Sequence, residues 1–468
     1  MMKKLIWTTT VLFSLAAAGC GDDDEDTTPA GTARLRVVHA APGAPAVDLY
    51  VAGATTPAVR ALTYGQASSY LEVPAGSLAV EVRAAGSPVS SAAVYTTPSL
   101  TLAEGDQVTA VAAGLLSSTD AGDRFRVLAL AEDFGDPAAS SARVRVVHAG
   151  ADAPAVAVDV GNDGSPEITD LARFADTGAA GVELPARSLA IGIWAGAPLE
   201  RVTAFTTPAL SAGGDLFVIA TGLLSAQPRE TEGFALLAVG PSGVIGSIKQ
   251  DPVVYALHAS PDAPAVDIFA GAAELADDLR PGALSGAIQV PPGTYTLDLF
   301  AHAAGATRPA GGPAASATTP ALTAGNRYLA IATGFLGGQP GFELLALVDE
   351  LESAGEGARL RVVHASPDTP AVDVGTMSGQ VLIPVWSALA FRDATDAAGT
   401  SVPTGDLDVG IGLAGSQQAA LTFDVATAAG TRAFVVAAGS LAAESVGLLV
   451  VNAGTWPWTA EAVAPHSN

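Results

Sequence analysis

Four histidines raise the first chemical question. His39, His148, His258 and His364 sit in four versions of one phrase: RLRVVHAAPGAPAVDLY from Arg34, RVRVVHAGADAPAVAVDV from Arg143, VVYALHASPDAPAVDIF from Val253 and RLRVVHASPDTPAVDV from Arg359. Six residues after each histidine stands a proline: Pro45, Pro154, Pro264 and Pro370. Nine residues after it stands an aspartate in three copies, Asp48, Asp267 and Asp373. Copy two has Ala157 there, with Asp159 two residues later. An imidazole beside a carboxylate can bind a metal or move a proton. One His and one Asp do not make a zinc site, however, and the carboxylate fails in copy two. The other reading is a dry-face histidine whose ring nitrogens bond to loop carbonyls and fix the proline loop. The alternation of the strand favours that reading.

A second candidate lies in DVGNDGSPEITD of copy two, where Asp159, Asp163, Gly164 and Asp170 occupy positions 1, 5, 6 and 12 of a calcium-loop pattern. Position 3 is Gly161, which offers no side-chain oxygen. An Asn-Asp-Gly hairpin turn accounts for the same residues. No phosphate loop, HExxH, CxxC or GxSxG is present. The remaining histidines, His302 and His466, fall in a polar loop and in the tail. The expectation is no catalytic residue, no metal and no cofactor. Tandem copies multiply reach and avidity more readily than they multiply catalysis.

The elements that must hold these residues follow from the period. The histidines are 109, 110 and 106 residues apart, the size of one small β-domain and too long for a solenoid unit. In each first strand Leu35, Val37 and His39 alternate with Arg34, Arg36 and Val38. Arg145, Tyr255 and Arg361 match Arg36, so that side is read as wet and the Val37 side as dry. Pro42 and Pro45 mark a loop, since proline cannot donate to a ladder. Each copy then has a turn (VPAG, LPAR, VPPG, VPTG) and a TTPAL-like segment leading to an Ala-Val-rich strand. About seven short strands per copy, with turn signals every 8–12 residues, predict an all-β chain of four Greek-key, immunoglobulin-like sandwiches. The expected layout is a signal segment at 1–19, an acidic tether at 20–32, repeats at 33–135, 142–245, 252–350 and 358–456, and a tail at 457–468. Polar linkers predict copies that fold alone.

The phrase RLRVVHASPDTPAVDV, followed by a proline-glycine turn and TLTAG-like strands, resembles the bacterial domain-of-unknown-function family DUF4397. The resemblance covers nearly all of the chain after the tether, in four copies. It implies an all-β domain, secretion and surface attachment, and carries no activity.

The start of the chain, MMKKLIWTTTVLFSLAAAGC, has a charged n-region, a short apolar run and small residues before Cys20, the single cysteine. It is similar to a lipobox, which would make Cys20 the lipidated first residue of the mature protein. An ordinary secretory signal with an incidental cysteine is the alternative. GDDDEDTTPAGTA reads as a disordered tether, and Gly21 after Cys20 points to the outer membrane. With a net charge of −25 and Lys249 the only lysine after Lys4, the chain repels nucleic acid. Aromatic residues make up only 6%, so the cores must be built from small aliphatic side chains.

The expected function is a non-catalytic surface stalk or adhesion protein with a protein or glycan partner. A glycan- or small-ligand-binding module is the alternative, with Tyr50, Trp194, Trp386, Trp456 and Trp458 as aromatic platforms, and a secreted hydrolase comes last. The Trp456-Pro457-Trp458 segment is also read as a cover for the open edge of the last domain.

Overall fold

A computed structural model describes residues 31–303, 305 and 307–466. Cys20, the signal-like segment and nearly all of the acidic tether lie outside the described residues. The described residues form strands and turns, and no helix among them is long and apolar enough to cross a membrane.

Repeat 1 runs through β1 (Thr32–His39), β2 (Val47–Val51), β3 (Val59–Leu62), β4 (Leu71–Pro74), β5 (Gly76–Leu78), β6 (Val80–Ala84), β7 (Tyr95–Thr96), β8 (Leu100–Leu102), β9 (Gln107–Ala113) and β10 (Arg126–Ala131). Two four-stranded sheets result, in the orders β10-β9-β1-β4 and β3-β2-β6-β7. β1 pairs parallel with β9 and antiparallel with β4, so the chain crosses repeatedly between the sheets. Leu35 and Val37 of β1 meet Val47, Leu49, Val80 and Val82 of the other sheet, and this is the sandwich core. The other three repeats rebuild the arrangement, each with its own parallel pair between the histidine strand and the Ala-Val strand. The protein is therefore an all-β chain of tandem sandwiches. The small side chains leave voids of about 20–50 Å³ inside the sandwiches.

The far side of β1 corrects the sequence reading. It is not wet. Arg36, Arg145, Tyr255 and Arg361 retain 2%, 6%, 0% and 9% of their exposure. Repeats 1 and 2 stand back to back: Val38, Ala40, Val111 and Ala113 pack against Val147, Phe217, Ile219 and Val239. Repeats 3 and 4 do the same, with Tyr255, Leu257 and Ile331 against Val363, Phe434, Val436 and Trp458. Each fully buried Val, Leu or Phe there contributes about 1.5–3 kcal/mol, so each interface is a second core.

As buried charge requires, Arg36 and Arg145 pair with carboxylates of their own repeats, Glu132 at 3.5 Å and Asp176 at 2.7 Å, and each uses its Nη1 across the interface. Arg36 Nη1 donates to Gly240 O of repeat 2 at 2.5 Å, and Arg145 Nη1 donates back to Ala131 O of repeat 1 at 2.6 Å. Both guanidinium groups lie against the Phe217 ring, at 5.6 and 5.8 Å from its centre. In the second pair, Arg361 Nη1 donates to Val348 O at 3.0 Å, and Tyr255 replaces the reciprocal arginine. Tyr255 stacks on Trp458 with ring centres 4.5 Å apart.

Two segment assignments also change. Gly243–Lys249, which straddles the expected repeat 2 boundary at 245, is a fifth strand on the inner sheet of repeat 2. Thr459–Val463, read as tail, is the matching fifth strand of repeat 4. The even repeats thus have five-stranded inner sheets and the odd ones four-stranded. That strand covers the edge of repeat 4. The two tryptophans instead reach across the interface, where Trp456 meets Tyr255 edge-on at 6.4 Å.

Candidate functional site

The recurring phrase folds into one local device, built four times. β1 ends at His39, whose ring turns into the end of the sandwich, with 1% of it exposed. Its Nε2 donates to the carbonyl of Pro45 at 3.2 Å. His148, His258 and His364 donate to Pro154, Pro264 and Pro370 at 2.8, 2.9 and 3.2 Å. The other ring nitrogen accepts from Gly150 N in copy two and Ser366 N in copy four. That pattern is the neutral imidazole. Burial holds all four histidines below the ordinary value, against the pull of the carbonyls toward the charged form.

The aspartates cap loops at the outer sheet and do not meet the histidines' free nitrogens. Asp48 accepts from Ala61 N at 2.7 Å and Gly86 N at 3.0 Å, and those two amides hold its carboxyl below the usual range. Asp373 accepts from Ala388 N and Gly415 N, both at 2.8 Å. Asp267 accepts from Asp278 N at 3.0 Å and Ala303 N at 3.1 Å. The amide on the edge strand belongs to a β-bulge, and Ala61, Asp278 and Ala388 all have positive φ (49°, 46° and 55°). One buried carboxylate thus closes a bulge and a hairpin together.

In copy two Asp159 serves a different turn. It accepts from Asp163 N at 3.2 Å, Gly164 N at 2.7 Å and Trp194 Nε1 at 3.2 Å. Asp163 Oδ1 accepts from Ser165 N at 3.0 Å. Asp159, Asp163 and Asp170 do not form a group of ligand atoms within 4.8 Å of one another, so the calcium-loop reading gives way to a capped Asn-Asp-Gly hairpin.

Two features escaped sequence reasoning. Asp152, Asp262 and Asp368 stand four residues after their histidines and each clamps two amides of the loop beyond the Ala-Val strand. Asp262, for example, accepts from Leu336 N at 2.8 Å and Gly337 N at 3.1 Å. The signal was the aspartate repeated at that spacing. Copy one has Gly43 instead, whose amide donates to Glu232 of repeat 2 at 2.9 Å. The second is a convergence in copy three. His302 Nδ1 lies 2.7 Å from Asp267 Oδ1 and 3.3 Å from Asp277 Oδ1. The hydrogen bond to Asp267 raises the His302 pKa. Among the described residues, this is the group of three side chains placed to share a metal ion.

The aromatic platforms are mostly engaged. Tyr50 and Trp458 are buried. Trp194 donates to Asp159, and Trp386 donates to Thr400 at 2.9 Å. Trp456 is exposed on one side, with the Arg327 guanidinium 4.5 Å from its ring.

Sheet order and the repeated histidine loop define a class, tandem β-sandwich repeat proteins. The family model described as "Domain of unknown function (DUF4397)" matches residues 33–159 and 252–375, more than half of the chain, and the protein belongs to that family. Each match starts at the first strand of an odd repeat and ends in the second strand of the even repeat after it. No curated protein matches the chain. Among solved structures, the chain is similar to "The Bacillus anthracis TIE protein" at 9% identity, covering 88% of this chain and 68% of that one, with a TM-score of 0.14.

Proposed function

We propose that this protein is a non-catalytic interaction protein of the bacterial cell envelope. In this reading Cys20 carries a lipid that anchors it in the outer membrane, and the back-to-back repeat pairs form a stiff stalk for adhesion. The observation that supports it most is where the repeated polar residues go. In every copy the histidine holds a proline carbonyl, and the nearby buried aspartates hold backbone amides. What recurs four times is scaffolding, and copy number then serves reach and avidity.

Membrane fractionation tests the anchor. Cys20→Ser should move the protein from detergent-extracted membranes to the soluble fraction, and retention in the membranes would contradict it. Deleting residues 252–466, one whole pair, should weaken adhesion while anchoring persists. Undiminished adhesion would contradict the stalk.

A small-ligand reading has one observation in its favour. A crevice of about 450 Å³ opens between repeats 3 and 4, lined by Ser260, Pro281, Glu444, Val446 and Pro465 among others. Saturable binding of a ligand library component, abolished by Val446→Trp, would favour it over the stalk.

A further inference from the structure

The four copies are internal controls for one another, and they single out His302. The buried cap carboxylate is satisfied in copies one and four by two amides alone. The residue just before the hairpin amide is Ala85 in copy one, His302 in copy three and Ala414 in copy four. These positions match in structure, since each donates its own amide to the residue two before the cap aspartate: Ala85 N to Ala46 O, His302 N to Ala265 O and Ala414 N to Ala371 O, at 2.9, 2.8 and 3.0 Å. The residue just before the bulge amide is Arg60, Asp277 and Ser387 in the same order. The cap therefore works with alanine at one position and arginine or serine at the other. Copy three alone places an imidazole and a second carboxylate there, and both converge on Asp267.

From this juxtaposition we infer that Asp267, Asp277 and His302 form a binding site for a divalent transition-metal ion of the zinc type. Each of the three offers one ligand atom, and these atoms all lie within 4.8 Å of one another. A tetrahedral zinc ion with donors at about 2.0–2.2 Å places neighbouring donors about 3.3 Å apart. The His302–Asp277 distance is already 3.3 Å, and the His302–Asp267 distance of 2.7 Å has to open slightly. Imidazole with carboxylates suits zinc, whereas calcium and magnesium prefer oxygen donors alone. Asp267 is 1% exposed and oriented by Asp278 N and Ala303 N, which fixes one ligand before the ion arrives. Asp278 is drawn out of the set by Arg280, 2.7 Å from its carboxylate. Asp277 and His302 face solvent, which leaves the ion a path and room for water as a fourth ligand. Bound there, the ion ties the edge strand Ala273–Leu279 to the hairpin after Thr296–Ala301, a stitch the other copies lack.

The test is zinc titration calorimetry on the full chain carrying Cys20→Ser, so that no thiol competes. One zinc ion per chain should bind, and millimolar calcium should not displace it. His302→Ala installs the residue of copies one and four and Asp277→Ser that of copy four, so both variants should fold. Each should weaken zinc binding tenfold or more, and zinc should raise the melting temperature of the parent chain but not of His302→Ala. His466→Ala should bind zinc like the parent. Absence of stoichiometric binding would overturn the inference, as would affinity unchanged in His302→Ala.

Discussion

Two kinds of junction hold the four repeats, and they differ in chemistry. Within a pair, two inner sheets meet through valine, isoleucine and phenylalanine with buried arginine between them. Between the pairs, the contact is a polar knot, in which Arg229 Nη2 also donates to Leu351 O and Gly325 N to Gln250 O at 2.7 Å. Thr203 Oγ1 donates to Gln250 Oε1 at 2.7 Å, and Gln289 Nε2 donates to Thr203 Oγ1 and to Asp251 O, each at 3.1 Å. The first resembles a domain core cut in half, and the second a contact between finished domains. Folding should therefore proceed by pairs.

The largest contrast between the junctions should come from Phe217. It is fully buried under two guanidinium groups, so Phe217→Ala should cost about 3–5 kcal/mol in urea unfolding of the first pair. Gln289→Ala, in the polar knot, should cost about 1 kcal/mol. Equal effects would erase the distinction.

Gly334 probes the second pair from within. It has φ +82°, and a Cβ there would stand 2.2 Å from the Gly341 carbonyl. Gly334→Ala should lower stability by about 2–4 kcal/mol, seen as an earlier melt of the 3·4 pair with the 1·2 transition in place. A shift of both transitions together would show that the polar knot couples the pairs.

His364→Ala removes one ring from its proline loop and should cost about 1–3 kcal/mol. The histidines also give the weakest and broadest effect, a pH dependence. Burial lowers their folded pKa values, while the unfolded chain takes up the same protons near pH 6.5. The unfolded state thus binds more protons below that pH, and stability falls as pH falls. Thermal melts between pH 7 and pH 5 should show this decline, with a shallower slope in His364→Gln. A flat profile would mean the rings are not held neutral.

The fold class was legible in the sequence because its signals are local: alternation along strands, proline loops, turn residues and a phrase repeated four times. The histidine's structural partner was legible for the same reason, being six residues away. Pairing was not. Arg36 reads as a solvent residue on an alternating strand, yet its guanidinium ends on a carbonyl 204 residues away. Arginine hides well in such a seam, because its fork can reach backbone carbonyls while its stem packs. The His302 cluster was hidden by distance too, since its partner Asp267 lies 35 residues back and only the bulge and hairpin bring them together.

Pairing is tested most directly by comparing two fragments. Residues 31–251 contain one complete pair, and residues 31–140 contain repeat 1 with Arg36, Val38 and Val111 uncovered. The pair fragment should be monomeric by sedimentation and melt in a single cooperative transition. The single repeat should unfold, aggregate or dimerise through that face. A repeat 1 fragment that stays monomeric and melts at the temperature of the pair would contradict pairing as the unit of this fold.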